Sequence, residues 1–406
     1  MNFMKIMLAT ALSIAVCIPI SASADNRGFI YGKVNTESGE TYQGTLRWGK
    51  QECFWDDIFN ATKDNNPWIK YIEKDFPDVK SYQRERDIFG IRIIEPYGFA
   101  GAHLFITRFG EIKEIKVGSR GRSTVIMKNG TEYDLTGSGD IGESIVLQDE
   151  NLGKVLLKWN NIKNIEFMST PKKAKTEGYR LKGKIKTVDM EFSGFIMWDA
   201  EECLSTDVLD GDSDNGDMEI VFENIRGIKR NGRRASIVTL KDGRKFTLHG
   251  SNDVNSENRG IFVQDERFGK IEIQWDEFEE LTYDDSQESG NDYDSYKPRE
   301  HFAGTVKTLD GKKYEGIIVY DLDESEGYEI LNGKIDNMEF YIPFSDVKSI
   351  QPKGRHSSVV KFRNGLELRL EDSQDVDYNH DGLLIFPEKG KRVYIEWEDV
   401  DILEFE

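Results

Sequence analysis

Apolar and polar residues alternate along this chain in short runs that pair across glycine turns. Before Asn129-Gly130, Asp242-Gly243 and Asn364-Gly365 stand Val125 and Met127, Val238 and Leu240, Val360 and Phe362. After the turns come Tyr133 and Leu135, Phe246 and Leu248, Leu368 and Leu370. A period of two around an Asn-Gly or Asp-Gly turn predicts hairpins with one buried face. A later run ending at Trp159, Trp275 or Trp397 predicts a further strand in each segment. Apolar residues then follow at steps of three, as in Phe222, Ile225 and Ile228, or Trp159, Ile162 and Ile165. That spacing predicts a short 3₁₀ turn between strands.

The pattern is stated three times. Phe109, Phe222 and Phe344 each precede a turn glycine by 21 residues, and the following tryptophan comes 29, 32 and 32 residues after that glycine. Gly44, Gly194 and Gly316 open matching phrases, GTLRWGKQEC, GFIMWDAEEC and GIIVYDLDES. Such self-similarity predicts a repeat array. Repeat 1 covers 25–168, repeat 2 covers 178–284 and repeat 3 covers 301–406, with an acidic linker at 285–300 expected to be mobile. Each repeat reads as two halves of about five short strands, the number that closes a small barrel and removes exposed sheet edges.

The stretch Gly304–Glu324, with Gly311, Gly316 and the aspartate after them, resembles the first motif of Sm-like and other SH3-like small barrels. Ile225-Arg226-Gly227 is similar to that family's second motif. The resemblance implies an all-β fold of three tandem repeats, each built from two five-stranded SH3-like barrels. It also implies RNA binding, which the rest of the chain opposes. Repeats 1 and 3 replace the Ile-Arg-Gly string with Ile112-Lys113-Glu114 and Val347-Lys348-Ser349.

Charge and the N-terminus narrow the function classes. Residues 1–24 have a basic start, an apolar run and Ala22-Ser23-Ala24 before Asp25, the grammar of a signal peptide cleaved after Ala24. A periplasmic or secreted bacterial protein follows, with no membrane insertion. The formal charge is −20, and −21 once Lys5 leaves with the leader. An excess of this size repels phosphate backbones, so nucleic acid is not an expected partner. Only Cys53 and Cys203 survive cleavage, at equivalent places in repeats 1 and 2. They allow either one bridge or two buried free thiols.

The repeat rule breaks once. Gly194 to Phe222 and Gly316 to Phe344 span 28 residues, whereas Gly44 to Phe109 spans 65, so repeat 1 carries 37 more. This insertion, about 54–97, is aromatic-rich and expected to be partly helical near 66–75. Long excursions from compact domains are commonly functional. Trp48, Glu52, Trp55, Asp56, Asp57 and Trp68 are therefore the candidate partner-binding residues, for a protein or glycan ligand, with a flap packed on another repeat as the alternative. The pairs Trp48/Glu52, Trp198/Glu202 and Tyr320/Glu324, and Ser138/Asp140, Ser251/Asp253 and Ser373/Asp375, read as turn-holding residues.

Asp377, Asn379, Asp381 and Glu388 have the spacing of a calcium loop, with Gly382 at its turn. Calcium is accordingly the one cofactor the sequence allows, and a secreted calcium module is the second functional reading. The acidic loop 207–217 is a weaker version of the same idea. Glu52, Asp56 and Asp57 are the only clustered carboxylates suited to a hydrolase, and no nucleophile or base accompanies them. The reading is thus a non-catalytic envelope scaffold or binding protein.

Overall fold

A computed structural model describes residues 25–77, 79, 85–88, 91–94, 103–137 and 139–406. The leader at 1–24 lies outside these, as do Tyr82, Phe89, Tyr97 and Ser138. The fold is all-β, with two large antiparallel sheets of ten and twenty strands. Among the described residues no ladder closes into a barrel.

The ten-stranded sheet comprises β1 (Tyr31–Thr36), β2 (Thr41–Trp48), β3 (Ile58–Lys63), β6 (His103–Arg108), β7 (Ile112–Val117), β8 (Arg122–Met127), β9 (Glu132–Thr136), β10 (Ile145–Asp149), β11 (Gly153–Leu157) and β12 (Ile162–Phe167). Between β3 and β6 come the helix α1 (Ile69–Asp75) and a separate hairpin of β4 (Glu85–Ile88) and β5 (Ile91–Ile94). The ladder order is β11-β10-β2-β1-β12-β7-β8-β9-β3-β6. Strand by strand, the pairings of residues 182–283 follow the same order. Those of residues 303–405 do so again. We call these three sets blocks 1, 2 and 3. Blocks 2 and 3 fuse into the twenty-stranded sheet where Gly269–Ile273 pairs with Met338–Pro343.

The halves of each block interleave, unlike the tandem division expected from sequence. Trp48 at the end of β2 faces Ile145 of β10, and Val34 of β1 faces Ile165 of β12. The chain therefore leaves one five-strand set after β2, builds a second from β3 and β6–β9, and returns to complete the first. In both sets a 3₁₀ turn leads into one strand, Phe109–Glu111 before β7 and Trp159–Asn161 before β12, and these two strands pair with each other. Blocks 2 and 3 have such turns at Phe222, Phe344 and Trp397, while Trp275 sits in a plain turn.

Why glycine opens each matching phrase is steric. A Cβ on Gly44 would lie 1.9 Å from the Gln148 carbonyl oxygen across the ladder, and on Gly194 it would lie 1.8 Å from that of Gln264. A kink in the register recurs as well, at Lys113, Arg226 and Lys348, where each strand carries one extra residue against its partner. The basic residue of the Ile-Arg-Gly string is thus a bulge that turns outward to solvent.

The insertion begins later than its sequence boundary. Phe54 to Phe59 belong to block 1, and the excursion spans residues 64–102. Its helix, expected near 66–75, lies on block 3. Ile72 packs with Val319, Leu322 and Leu384, while Trp68 and Tyr71 meet Phe386 edge-on at 5.7 and 5.3 Å. The linker is also docked rather than loose. Tyr293 and Tyr296 are buried in the block 1 core, and Lys128 donates to the Tyr296 carbonyl at 2.9 Å. Those two rings are why a segment so acidic holds one place.

Candidate functional site

Two features gather ionisable groups: a carboxylate cluster inside each block and a cleft where the blocks meet. The cluster is built by the repeat itself. In every block an aromatic at the end of the second strand or just past it donates its side-chain N–H or O–H to the carbonyl of one aspartate. Trp48 Nε1 reaches Asp140 at 2.8 Å, Trp198 Nε1 reaches Asp253 at 2.9 Å, and the Tyr320 hydroxyl reaches Asp375. The turn after that aromatic is closed by main chain, Trp48 N–H to Glu52 O at 2.7 Å and likewise in the other blocks. The glutamate side chain is thereby turned inward. Each aspartate carboxylate accepts a backbone N–H at 2.7 Å, from Asn60, Asp210 and Asn332 respectively.

Glu52 and Asp140, Glu202 and Asp253, and Glu324 and Asp375 thus come together in their blocks. Asp199 joins the second pair and Asp321 the third, with ligand atoms within 4.8 Å of one another. Block 1 has Gly49 at that place. Burial and like charge raise Glu52, Asp140, Glu202, Asp253 and Glu324 above the ordinary carboxylate range. Burial, then Asp140 and Asp57, pushes Glu52 well up. Asp140 rises to about 7 and Asp253 to about 6, both through burial first. Glu202 rises to about 9 through burial and the nearby Asp253 and Asp199. In block 2, Arg259 answers the cluster with a bond from Nε to Asp199 at 3.0 Å and from Nη2 at 2.5 Å. Block 3 has Asp381 at the corresponding position, and its backbone N–H donates to Asp321.

The candidate partner-binding residues are mostly interior. Trp48 and Trp55 are fully buried, as are Glu52, Asp56 and Asp57 to within a few per cent. Asp57 caps the backbone N–H groups of Cys53 and Phe54 at 2.8 and 2.9 Å. Asp56 takes a two-point contact from Arg180 of block 2, at 2.9 and 2.6 Å. Trp68 is half-buried against block 3. None of the six forms an open aromatic surface, because the block core and the block interfaces claim them. Neither does the trio Glu52, Asp56 and Asp57 assemble as a hydrolase needs, since Asp56 and Asp57 are spent on Arg180 and on backbone N–H groups.

The calcium string is divided. Asp377 binds back to its own loop, accepting from the Asn379 N–H at 2.7 Å, and Gln374 donates to Asp381 at 3.2 Å. Leu383–Phe386 is a strand, so it carries exposed Glu388 about 13 Å along the sheet at about 3.3 Å per residue. The twelfth-position carboxylate of a calcium loop would have to fold back instead. Residues 208–213 and 216–221, in the other acidic loop, form a strand hairpin, and Asp207 pairs with Arg47 of block 1 at 2.7 Å.

The cleft encloses about 520 Å³ between the N-terminal segment, the three blocks and the linker. Asp25, Asp56, Asp265, Glu266, Glu288, Asp292 and Asp346 line it against only Arg27 and Arg108. Sequence reading does not find it, since its walls come from distant segments. The carboxylate clusters do carry a signal. Glu202 to Asp253 and Glu324 to Asp375 are both 51 residues, a fixed spacing of two acids in two repeats. Comparison with protein-family models, curated proteins and solved structures returns no match to this chain.

Proposed function

We propose that this is an exported, non-catalytic binding protein of the bacterial envelope, whose blocks frame a ligand cleft at their junction. Beneath that role we read the three blocks as repeats, each made of two nested five-strand units of the SH3-like kind. The matching ladder order and the recurring 3₁₀ turn support this. The observation that carries the function is the cleft: its volume lies in the range of small-ligand sites, and its wall holds seven carboxylates. Of these, Asp25 and Asp292 pair with Arg27, Asp56 with Arg180, Asp265 with Arg267 and Glu288 with Lys182, with Glu266 and Asp346 beside them. The ligand this wall selects is cationic, either a polyamine or a basic side-chain cluster of a protein partner. The insertion serves as a strap on block 3, in keeping with the packing of Ile72, Trp68 and Tyr71.

Calorimetric titration with spermidine, a multivalent cationic probe, tests this reading. Binding should weaken at least tenfold in the triple variant Glu266→Gln, Glu288→Gln, Asp292→Asn, about 1.4 kcal/mol. Equal affinity in both proteins, or no binding by either spermidine or an oligolysine peptide, would remove the cleft as the site.

A further inference from the structure

Cys53 and Cys203 hold the same place in blocks 1 and 2, and block 3 has Ser325 there. The blocks face each other so that the two thiols meet, with sulfur atoms 3.7 Å apart. Both are buried, at 1% and 2% exposure, in an apolar cluster that draws Phe29 and Phe54 from block 1 and Met197, Leu204 and Phe262 from block 2. The main chain at each cysteine is held in place. Asp57 fixes the Cys53 N–H at 2.8 Å and Asp207 fixes the Cys203 N–H at 2.9 Å. The Cys203 thiol also lies 3.4 Å from the Gln51 carbonyl.

We propose that Cys53 and Cys203 are a disulfide site that joins block 1 covalently to block 2. A bond of about 2 Å needs the sulfurs to close by a little under 2 Å, within the reach of side-chain rotation and a small main-chain shift. The chemistry is thiol–disulfide exchange with an external disulfide, either that of an oxidoreductase or oxidised glutathione. One cysteine thiolate attacks it, forming a mixed disulfide and expelling a thiolate. The second cysteine, as thiolate, attacks the first sulfur and expels the other. Two protons and two electrons leave the protein, and the external disulfide becomes two thiols. Access sets the timing. The contact with the Cys53 thiol, and then burial, push the Cys203 thiol well up, so exchange belongs to the open chain before the blocks dock, and the finished bond is shielded afterwards.

The test is to unfold and reduce the full chain, refold it in a mixture of oxidised and reduced glutathione, then denature and alkylate. The expected product takes up no alkyl group at Cys53 or Cys203, weighs two hydrogens less than the reduced chain, and yields a linked peptide pair after digestion. Two alkylated cysteines, or a glutathione adduct on either, would overturn the proposal. The double variant Cys53→Ser, Cys203→Ser, which copies the native serine of block 3, supplies a second reading. The oxidised wild type should melt several degrees above it, and the reduced wild type should match it. A wild type whose melting is indifferent to reduction would count against the bond even if peptides were found linked.

Discussion

Replacing Asp140 by Asn should change how block 1 responds to pH. The Asp140 carboxyl sits beside Glu52 under Trp48, accepts the Asn60 N–H at 2.7 Å, and is pushed up to about 7 by burial. The folded-state value is raised, so its contribution to stability is complete below about pH 4 and lost as pH rises through 7. The rise from the ordinary aspartate range is about three pH units, each worth about 1.4 kcal/mol, or about 4 kcal/mol as an upper limit. Asparagine keeps an oxygen for the Asn60 N–H and never ionises. Between pH 4 and pH 8, Asp140→Asn should therefore gain stability over the wild type by up to about 4 kcal/mol. Urea unfolding followed by tryptophan fluorescence reads this directly, because Trp48 is fully buried and bonds to Asp140. If the two stability curves stay parallel within about 1 kcal/mol, the carboxyl is not a buried neutral acid and the reasoning fails.

Three further outcomes follow from the block interfaces. Lys63→Met removes the ammonium that bonds to Asp323 at 2.9 Å and to Glu329 at 2.8 Å, and breaking such a buried arrangement should cost about 3–5 kcal/mol in thermal or urea unfolding. Gly110→Ala would place a Cβ 2.4 Å from the Tyr296 ring, so residues 285–300 should become a site of rapid limited proteolysis while the wild type resists. Cutting residues 64–102 to a two-residue turn should uncover Val319, Leu322 and Leu384, read as increased binding of a hydrophobic dye without loss of β-sheet circular dichroism.

Local grammar is readable wherever the physics is local. Asn129-Gly130 and its sisters are hairpin turns because their pairing strands lie next to one another in sequence. The aromatic steps at Phe222 and Trp159 likewise give 3₁₀ turns. The interleaving is not readable, since the partnership of Trp48 with Ile145 leaves no mark in either neighbourhood. Phe54 to Phe59 read as insertion because aromatic residues have the same look in a core as on a surface. Of the candidate site, the recurring glutamates and aspartates stand out singly, but their convergence needs the fold. Arg180, Arg47 and Lys63 have no repeat signature, because each serves one interface only.

The return of the chain from β9 to β10 has a consequence for how the molecule is made. The inner five strands of block 1 can pair with one another within residues 58–136, β7 meeting β12 later, whereas the outer set must wait for partners such as Ile145, 97 residues beyond Trp48. In block 2 Gly194 and Asp265 are separated by only 71 residues, whereas the corresponding block 1 pair, Gly44 and Asp149, is separated by 105. Loop closure grows slowly costlier with length, and non-local pairing slows folding. As the chain emerges, β1 and β2 therefore stand exposed as an unpaired hairpin while the inner unit forms, and for longest in block 1. That interval is when a thiol on Cys53 can still be reached, and when the nascent chain is most open to wrong partners.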